Sequence, residues 1–119
     1  MVNEISIYRG NNRTINLTIL NKSTGLPYNL TDCIITMLIK KNISDMDADA
    51  IIIKSTTDAE EGIIVIPDEG TVEFYLIPND TDNAVKLKDN VSYPVDFEVE
   101  TLDHLKYTVL RTCFTILTK

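Results

Sequence analysis

The stretch Tyr93-Pro94-Val95-Asp96-Phe97-Glu98-Val99-Glu100 alternates apolar and polar residues without a break. A period of two marks a β-strand with one buried face, because successive side chains point to opposite sides. It predicts Tyr93, Val95, Phe97 and Val99 inside, and Asp96, Glu98 and Glu100 in water. The same period recurs along the chain. Glu4–Tyr8 alternates and stops at Arg9-Gly10, where the glycine is suited to a positive φ. Thr14–Ile19 puts Ile15, Leu17 and Ile19 on one face, and Thr71–Leu76 does the same with Val72, Phe74 and Leu76. Cys33–Ile39 is apolar on both faces and reads as a more central strand. Ile51–Lys54 is short and suits an edge, while Ile63–Ile66 is closed by the turn residues Pro67-Asp68-Glu69-Gly70. Tyr107–Leu117 reads as a long last strand, joined to its predecessor through Leu102–Leu105.

No segment carries a helical stripe. The stretch 79–85 is the exception in miniature: Pro78 precedes it, and Asn79 or Asp80 can cap a turn or so. Many short strands, turn residues between them and one short helical turn predict an all-β fold, an antiparallel immunoglobulin-like β-sandwich. A length of 119 residues favours one domain over 1–119 with one core.

The corner "NKSTGLPYNLTDCIITMLIKK", Asn21 to Lys41, divides the same way. Asn21–Gly25 reads as a hairpin turn with Gly25 at positive φ. Pro27 cannot donate to a central ladder, so Leu26–Leu30 reads as an edge or corner, with Leu30 plugging the core.

Charge narrows the function classes. The formal net charge is −7, from 18 acidic and 11 basic residues. Such a chain repels phosphate, so neither general nucleic-acid binding nor an anionic membrane surface is expected. Met1-Val2-Asn3-Glu4 lacks the charged-then-apolar pattern of a signal peptide, so synthesis in a cytosol without export by that route is expected. Asn-x-Ser/Thr triplets at Asn12, Asn16, Asn29 and Asn79 then read as a by-product of composition.

Candidate chemistry is thin. Asp45-Met46-Asp47-Ala48-Asp49-Ala50 resembles the start of a calcium loop, but the sixth and twelfth positions hold Ala50 and Thr56 where glycine and a bidentate Glu are required. A solvated acidic loop is the plainer reading, with a cation held by Asp45–Asp49 as the alternative. His104 is the single histidine, in a predicted hairpin turn beside Asp103. Cys33 and Cys113 read as small buried hydrophobes inside strands rather than a disulfide. No nucleophile elbow, zinc motif or phosphate loop occurs. No catalytic, cofactor or metal residues are therefore assigned, and no enzyme is expected. Tyr8, Tyr28, Tyr75 and Tyr107 fall on separate elements, which leaves sugar stacking without a cluster.

Taken in order, the motifs resemble a tailed-phage family, the β-sandwich domain at the N-terminus of baseplate upper proteins and related small virion proteins. "YRGNNRTINLTI" resembles the family's Arg-Gly-Asp-Thr and alternating strand, with Asn11 in place of Asp. "NKSTGLPYNLTDCIITMLIKK" is similar to its turn, Pro and Leu-Thr-Gly before an apolar strand, with Asp32 in place of the glycine. "EGTVEFYLIPNDTDNA" is similar to a strand followed by Leu-x-x-x-Asp-Thr, and "YPVDFEVET" to the penultimate strand. Leu105 falls near an expected hairpin glycine. The resemblance implies a non-enzymatic structural role in a bacteriophage virion, after synthesis in the host cytoplasm. It implies assembly through sheet edges or faces, with other virion proteins and copies of itself as partners. Because Leu117-Thr118-Lys119 closes the chain, a standalone adaptor, tail, baseplate or head accessory subunit is expected, and a fibre anchor if the chain is a fragment. The competing expectation is a carbohydrate- or host-surface-binding module used in adsorption, centred on Tyr28 or Tyr75.

Overall fold

The alternating segments pair into two sheets. In a computed structural model, residues 4–21, 23–82 and 87–117 are described. They form β1 (Ile5–Tyr8), β2 (Arg13–Thr18), β3 (Ile34–Ile39), β4 (Ile52–Ser55), β5 (Gly62–Ile66), β6 (Thr71–Leu76), β7 (Ser92–Glu100) and β8 (Lys106–Leu117). Each strand falls on a stretch read from the sequence, by alternation for β1, β2, β6 and β7 and as an apolar or long run for the others. One sheet has the order β1-β8-β7-β3-β4 and the other β2-β6-β5. The fold is all-β, and among the described residues one short α-helix, α1, occurs, at Pro78–Thr81.

The strands are not all antiparallel, as the sequence reading had them. β1 runs parallel to β8, with Ile5 opposite Phe114 and Tyr8 opposite Leu117. These strands stand at opposite ends of the sequence, so no tight turn forces an antiparallel pair. β3 is an interior strand, paired with β7 on one side and β4 on the other, and largely buried on both faces, as its two apolar faces suggested. β4 is the edge its length suggested.

Both sheets feed one core. Ile35, Met37, Val95, Phe97 and Phe114 from the larger sheet cluster with Ile15, Val72, Phe74 and Leu76 from the smaller. The Phe74 and Phe97 rings meet across the layers, with centroids 5.8 Å apart. Tyr93, Val95, Phe97 and Val99 all face inward, as their alternation requires. A side chain of this size contributes about 1.5–3 kcal/mol when fully buried.

The connections explain the sequence motifs. Arg9 fastens the end of β1 to the far side of the chain: its guanidinium donates to the carbonyls of Thr81 and Leu87 (2.8 Å for the latter) and to the Asp89 carboxylate at 2.6 Å. The Gly10 N–H donates to the buried Thr81 hydroxyl at 2.9 Å. Asp80 accepts the Ile77 N–H at 2.8 Å and pairs with the buried Lys54 ammonium at 2.9 Å. The Arg-Gly and Asp-Thr pairs therefore close one clamp. The helical turn begins at Pro78, a residue earlier than expected, and residues 83–85 of the predicted stretch lie outside the described residues.

At the corner, Gly25 takes φ 72° and Leu30 is fully buried. Asp32 takes φ 61°, the left-handed conformation that favours glycine. Gly70 is required for a different reason. It has φ 67°, and a Cβ there would lie 2.5 Å from the Ile19 carbonyl oxygen. Its own carbonyl accepts the Ile19 N–H at 2.8 Å, which stitches the corner to the turn after β5.

Neither cysteine is a buried strand hydrophobe. Cys33 is half-buried just before β3, and Cys113 is exposed on β8; both are free thiols. Cys113 stands opposite Pro94, on the outer side of its strand, where the alternation of β8 carries it away from the core.

Candidate functional site

Chemistry-bearing side chains collect on the outer face of the five-stranded sheet. Register sets three rows there. Leu38, Asp96 and Arg111 form one, Thr36, Glu98 and Thr108 the next, and Ile34, Glu100 and Lys106 the last. A bulge in β8 between the first two rows shifts its register by one residue, at Val109.

Asp96 does not face water. It is only 3% exposed. Its Oδ1 accepts from Arg111 Nε at 2.9 Å, and its Oδ2 lies 3.3 Å from Lys40 Nζ. Lys40 is itself buried and reaches Asp47 Oδ1 at 3.0 Å. Burial pulls the Lys40 pKa down, but the hydrogen bonds and charges of Asp47 and Asp96 outweigh it and hold it above the ordinary value. A buried cation with two carboxylates is thus fully compensated.

The acidic loop is likewise not simply solvated. Asp45 accepts the Asn42 N–H at 3.0 Å and fixes the turn. Asp47 opens a 3-10 turn, Asp47–Asp49, and is half-buried against the sheet. The Lys40 hydrogen bond draws the Asp47 carboxyl below its ordinary pKa, and a hydrogen bond from Glu98 adds to this. Burial, then the contact with Asp47, pushes Glu98 the other way. A depression of about 300 Å³ lies over this spot, lined by Leu38, Asp47, Ile53, Glu98, Glu100 and Lys106. Among the described residues, no group of three or more His, Cys, Asp or Glu could hold a metal ion.

His104 sits in the β7–β8 turn with φ 64°, supplying the positive φ that a hairpin glycine would have taken. Its Nδ1 faces Glu100 at 3.7 Å, and Cys33 Sγ is engaged with the Thr31 carbonyl at 3.7 Å. Burial, then the Asp32 charge, raises the Cys33 thiol pKa, which lowers its thiolate fraction.

A second feature opens at the hairpin end. A groove of about 410 Å³ runs between Tyr28, Leu20 and Asn21 on the corner and Tyr107, Val99 and Val109 on the sheet. The structure brings Tyr28 and Tyr107 to one groove. The sequence treated them as separate, because the pairing of Tyr107 with Val99 is set by the bulged register. Tyr75 lies elsewhere, on a shallow surface beside Arg13, where its hydroxyl donates to Glu73 at 2.9 Å.

Besides the terminal strands β1, β2 and β4, two strand edges stay open beside exposed apolar side chains. β1 covers β8 only from Phe114 to Leu117, so Lys106–Arg111 has no strand on that side among the described residues. β5 pairs with β6 alone. No family model matches the chain, and no curated protein matches it.

Proposed function

We propose that this protein is a non-enzymatic structural component of a phage virion, an assembly module of the tail, baseplate or head accessory apparatus. The observation that carries the reading is that the β5 edge and the uncovered stretch of β8 are unpaired and have exposed apolar side chains beside them. Tyr107 and Val109 on β8, and Val65 and Ile66 on β5, are exposed. Such edges are templates for pairing with another chain. The charged cluster, by contrast, is engaged internally in holding the 42–50 loop against the sheet. The ordered motifs that resemble phage baseplate proteins favour the same role, with other virion proteins and further copies as partners. The finer fold reading is immunoglobulin-like. It is supported by the order β2-β6-β5 facing β8-β7-β3, with β4 added beside β3 and β1 beside β8.

Mass spectrometry of purified virions tests this reading. The protein is expected in complete particles, and its absence from them overturns the proposal. The groove between Tyr28 and Tyr107 favours a second reading, a sugar-binding module, since Tyr28 and Asn21 line one wall and Tyr107 the other. Glycan-array binding that Tyr107→Ala abolishes is the outcome that selects it.

A further inference from the structure

Two of the open edges, that of β5 and that of the uncovered stretch of β8, carry opposite charge. From Ser55 to Val85 the sequence contains no Lys, Arg or His. Glu60 and Glu61 precede β5, and Asp68 and Glu69 follow it. None of these carboxylates forms an ion pair with a described cation. β5 is therefore an apolar strand, Gly62-Ile63-Ile64-Val65-Ile66, with acidic ends. The open stretch of β8 is the converse: Lys106 and Arg111 bracket Tyr107, Thr108, Val109 and Leu110. The side chains of both cations stay more than half exposed, at 64% and 57%.

The edges also lie on opposite sides of the molecule. β8 is at the β1 end of the five-stranded sheet, and β5 packs beside β4 at the other end. We infer that copies of this chain add head-to-tail, the β5 edge of one pairing with the Lys106–Arg111 edge of β8 in the next. The inference rests on the assembly reading above and names its contact. Basic residues at both ends of one edge meet acidic residues at both ends of the other in either strand direction.

Self-pairing of like edges is disfavoured by the same charges. An antiparallel β5–β5 pair sets Glu60 and Glu61 against Asp68 and Glu69 of the partner, and a β8–β8 pair sets Lys106 against Arg111. Each edge also carries a bulge, at Val65 and at Val109, a device that discourages indiscriminate pairing. A head-to-tail contact uses two different surfaces, so it generates a closed ring or a filament rather than a two-fold dimer.

Charge exchange tests the contact. One variant carries Lys106→Glu and Val109→Glu, which turns the β8 edge acidic without touching Arg111 or its buried partner Asp96. The other carries Glu60→Lys, Asp68→Lys and Glu69→Lys, which turns the summed charge of the β5 ends from acidic to basic and keeps Glu61, whose carboxylate accepts the Ser55 N–H. Circular dichroism checks that each folds, and sedimentation velocity reads the assembly. The wild-type chain is expected to assemble at low ionic strength and to dissociate as salt rises. Each variant alone faces like charges, and its association is expected to weaken at least about tenfold. An equimolar mixture restores opposite charges at every contact and is expected to regain the assembly, with both variants in equal amount. A monomeric wild-type chain at low salt, a homodimer formed by either variant alone, or a mixture that stays monomeric overturns the inference. If a variant does not fold, the salt series on the wild-type chain still decides. Protein present in virions while the mixture stays monomeric removes this contact and leaves the assembly reading standing.

Discussion

Asp96 and Glu100 lie on the same face of β7, and the two carboxylates meet opposite surroundings. The Asp96 side chain is 4% exposed and takes both Lys40 and Arg111. The Glu100 side chain is 26% exposed, and its cations, His104 and Lys106, stand off at 3.7 and 3.8 Å. What differs is the cover. Lys40, Arg111 and the 42–50 loop close over one end of the row, while the hairpin end stays open. Burial converts the first pair of contacts into structure, and exposure leaves the second as a screened surface cluster.

The sharpest way to break this contrast is Asp96→Ala. It leaves the buried Lys40 ammonium with only Asp47, and removes the ion-pair partner of Arg111. The expected loss is about 3–5 kcal/mol, read from urea unfolding. Replacing Lys40 by Met in the same chain is expected to return much of that loss, because it removes the orphaned charge rather than the pair. A double variant no more stable than Asp96→Ala would mean that Lys40 is not the group left stranded.

Asp47→Asn comes next. The Asp47 side chain is 46% exposed, so its ion pair with Lys40 is partly screened. A loss of about 1 kcal/mol is expected, with faster amide exchange at Asp49 and Ala50, whose N–H groups bond within the 3-10 turn. Its pH dependence has a definite sign. The Asp47 pKa is lowered in the fold, so its contribution is full above the ordinary carboxylate range and fades as pH falls through the lowered value.

This cluster also marks where the sequence stopped being informative. Period-two alternation named β1, β2, β6 and β7, and the inner faces of β2, β6 and β7, because a pleat that buries one side shows it in neighbours along the sequence. The apolar runs of β3, β4 and β5 showed a strand but not its inner face. Alternation gave the outer face of Asp96 but not its environment. That depends on Lys40, 56 positions away, and on a loop folding over a different strand. One carboxylate of the acidic loop departs from the solvated reading for the same reason: Asp47 is half-buried because the end of β3 brings Lys40 beside it, while Asp49 stays exposed. Cys113 fails in the opposite sense, because a residue inside a strand is buried only if its face is covered. The Arg-Gly and Asp-Thr pairs were legible as motifs, yet the contact of Arg9 with Thr81 joins residues 72 positions apart and depends on the tertiary fold.

Glu98 separates electrostatics from packing in the middle of the row. Its pKa is raised by burial and by Asp47, so its charged form is disfavoured in the fold. Its contribution is therefore full below the ordinary carboxylate range and lost as pH rises through the raised value. Glu98→Gln keeps the shape and removes the charge. It is expected to stabilise the fold at pH 7 by a few tenths of a kcal/mol, and to make no difference at pH well below the carboxylate range. Stability curves of the two proteins that stay parallel across pH would assign the Glu98 effect to packing.

The smallest effect is expected at the open end. Glu100→Gln removes the centre of the loose cluster with His104 and Lys106, where both contacts exceed hydrogen-bond length. Stability is expected to change by no more than about 0.5 kcal/mol, and raising the salt concentration should erase the difference. The result bears on assembly as well as on the fold. Lys106 is the cation shared between Glu100 and the open β8 edge, and losing its neighbour leaves it freer to meet an incoming acidic strand. Glu100→Gln should therefore leave unfolding almost unchanged while strengthening self-association in sedimentation velocity. A large loss of stability instead would show that the hairpin end is held as the Asp96 end is, and the contrast between the two ends would collapse.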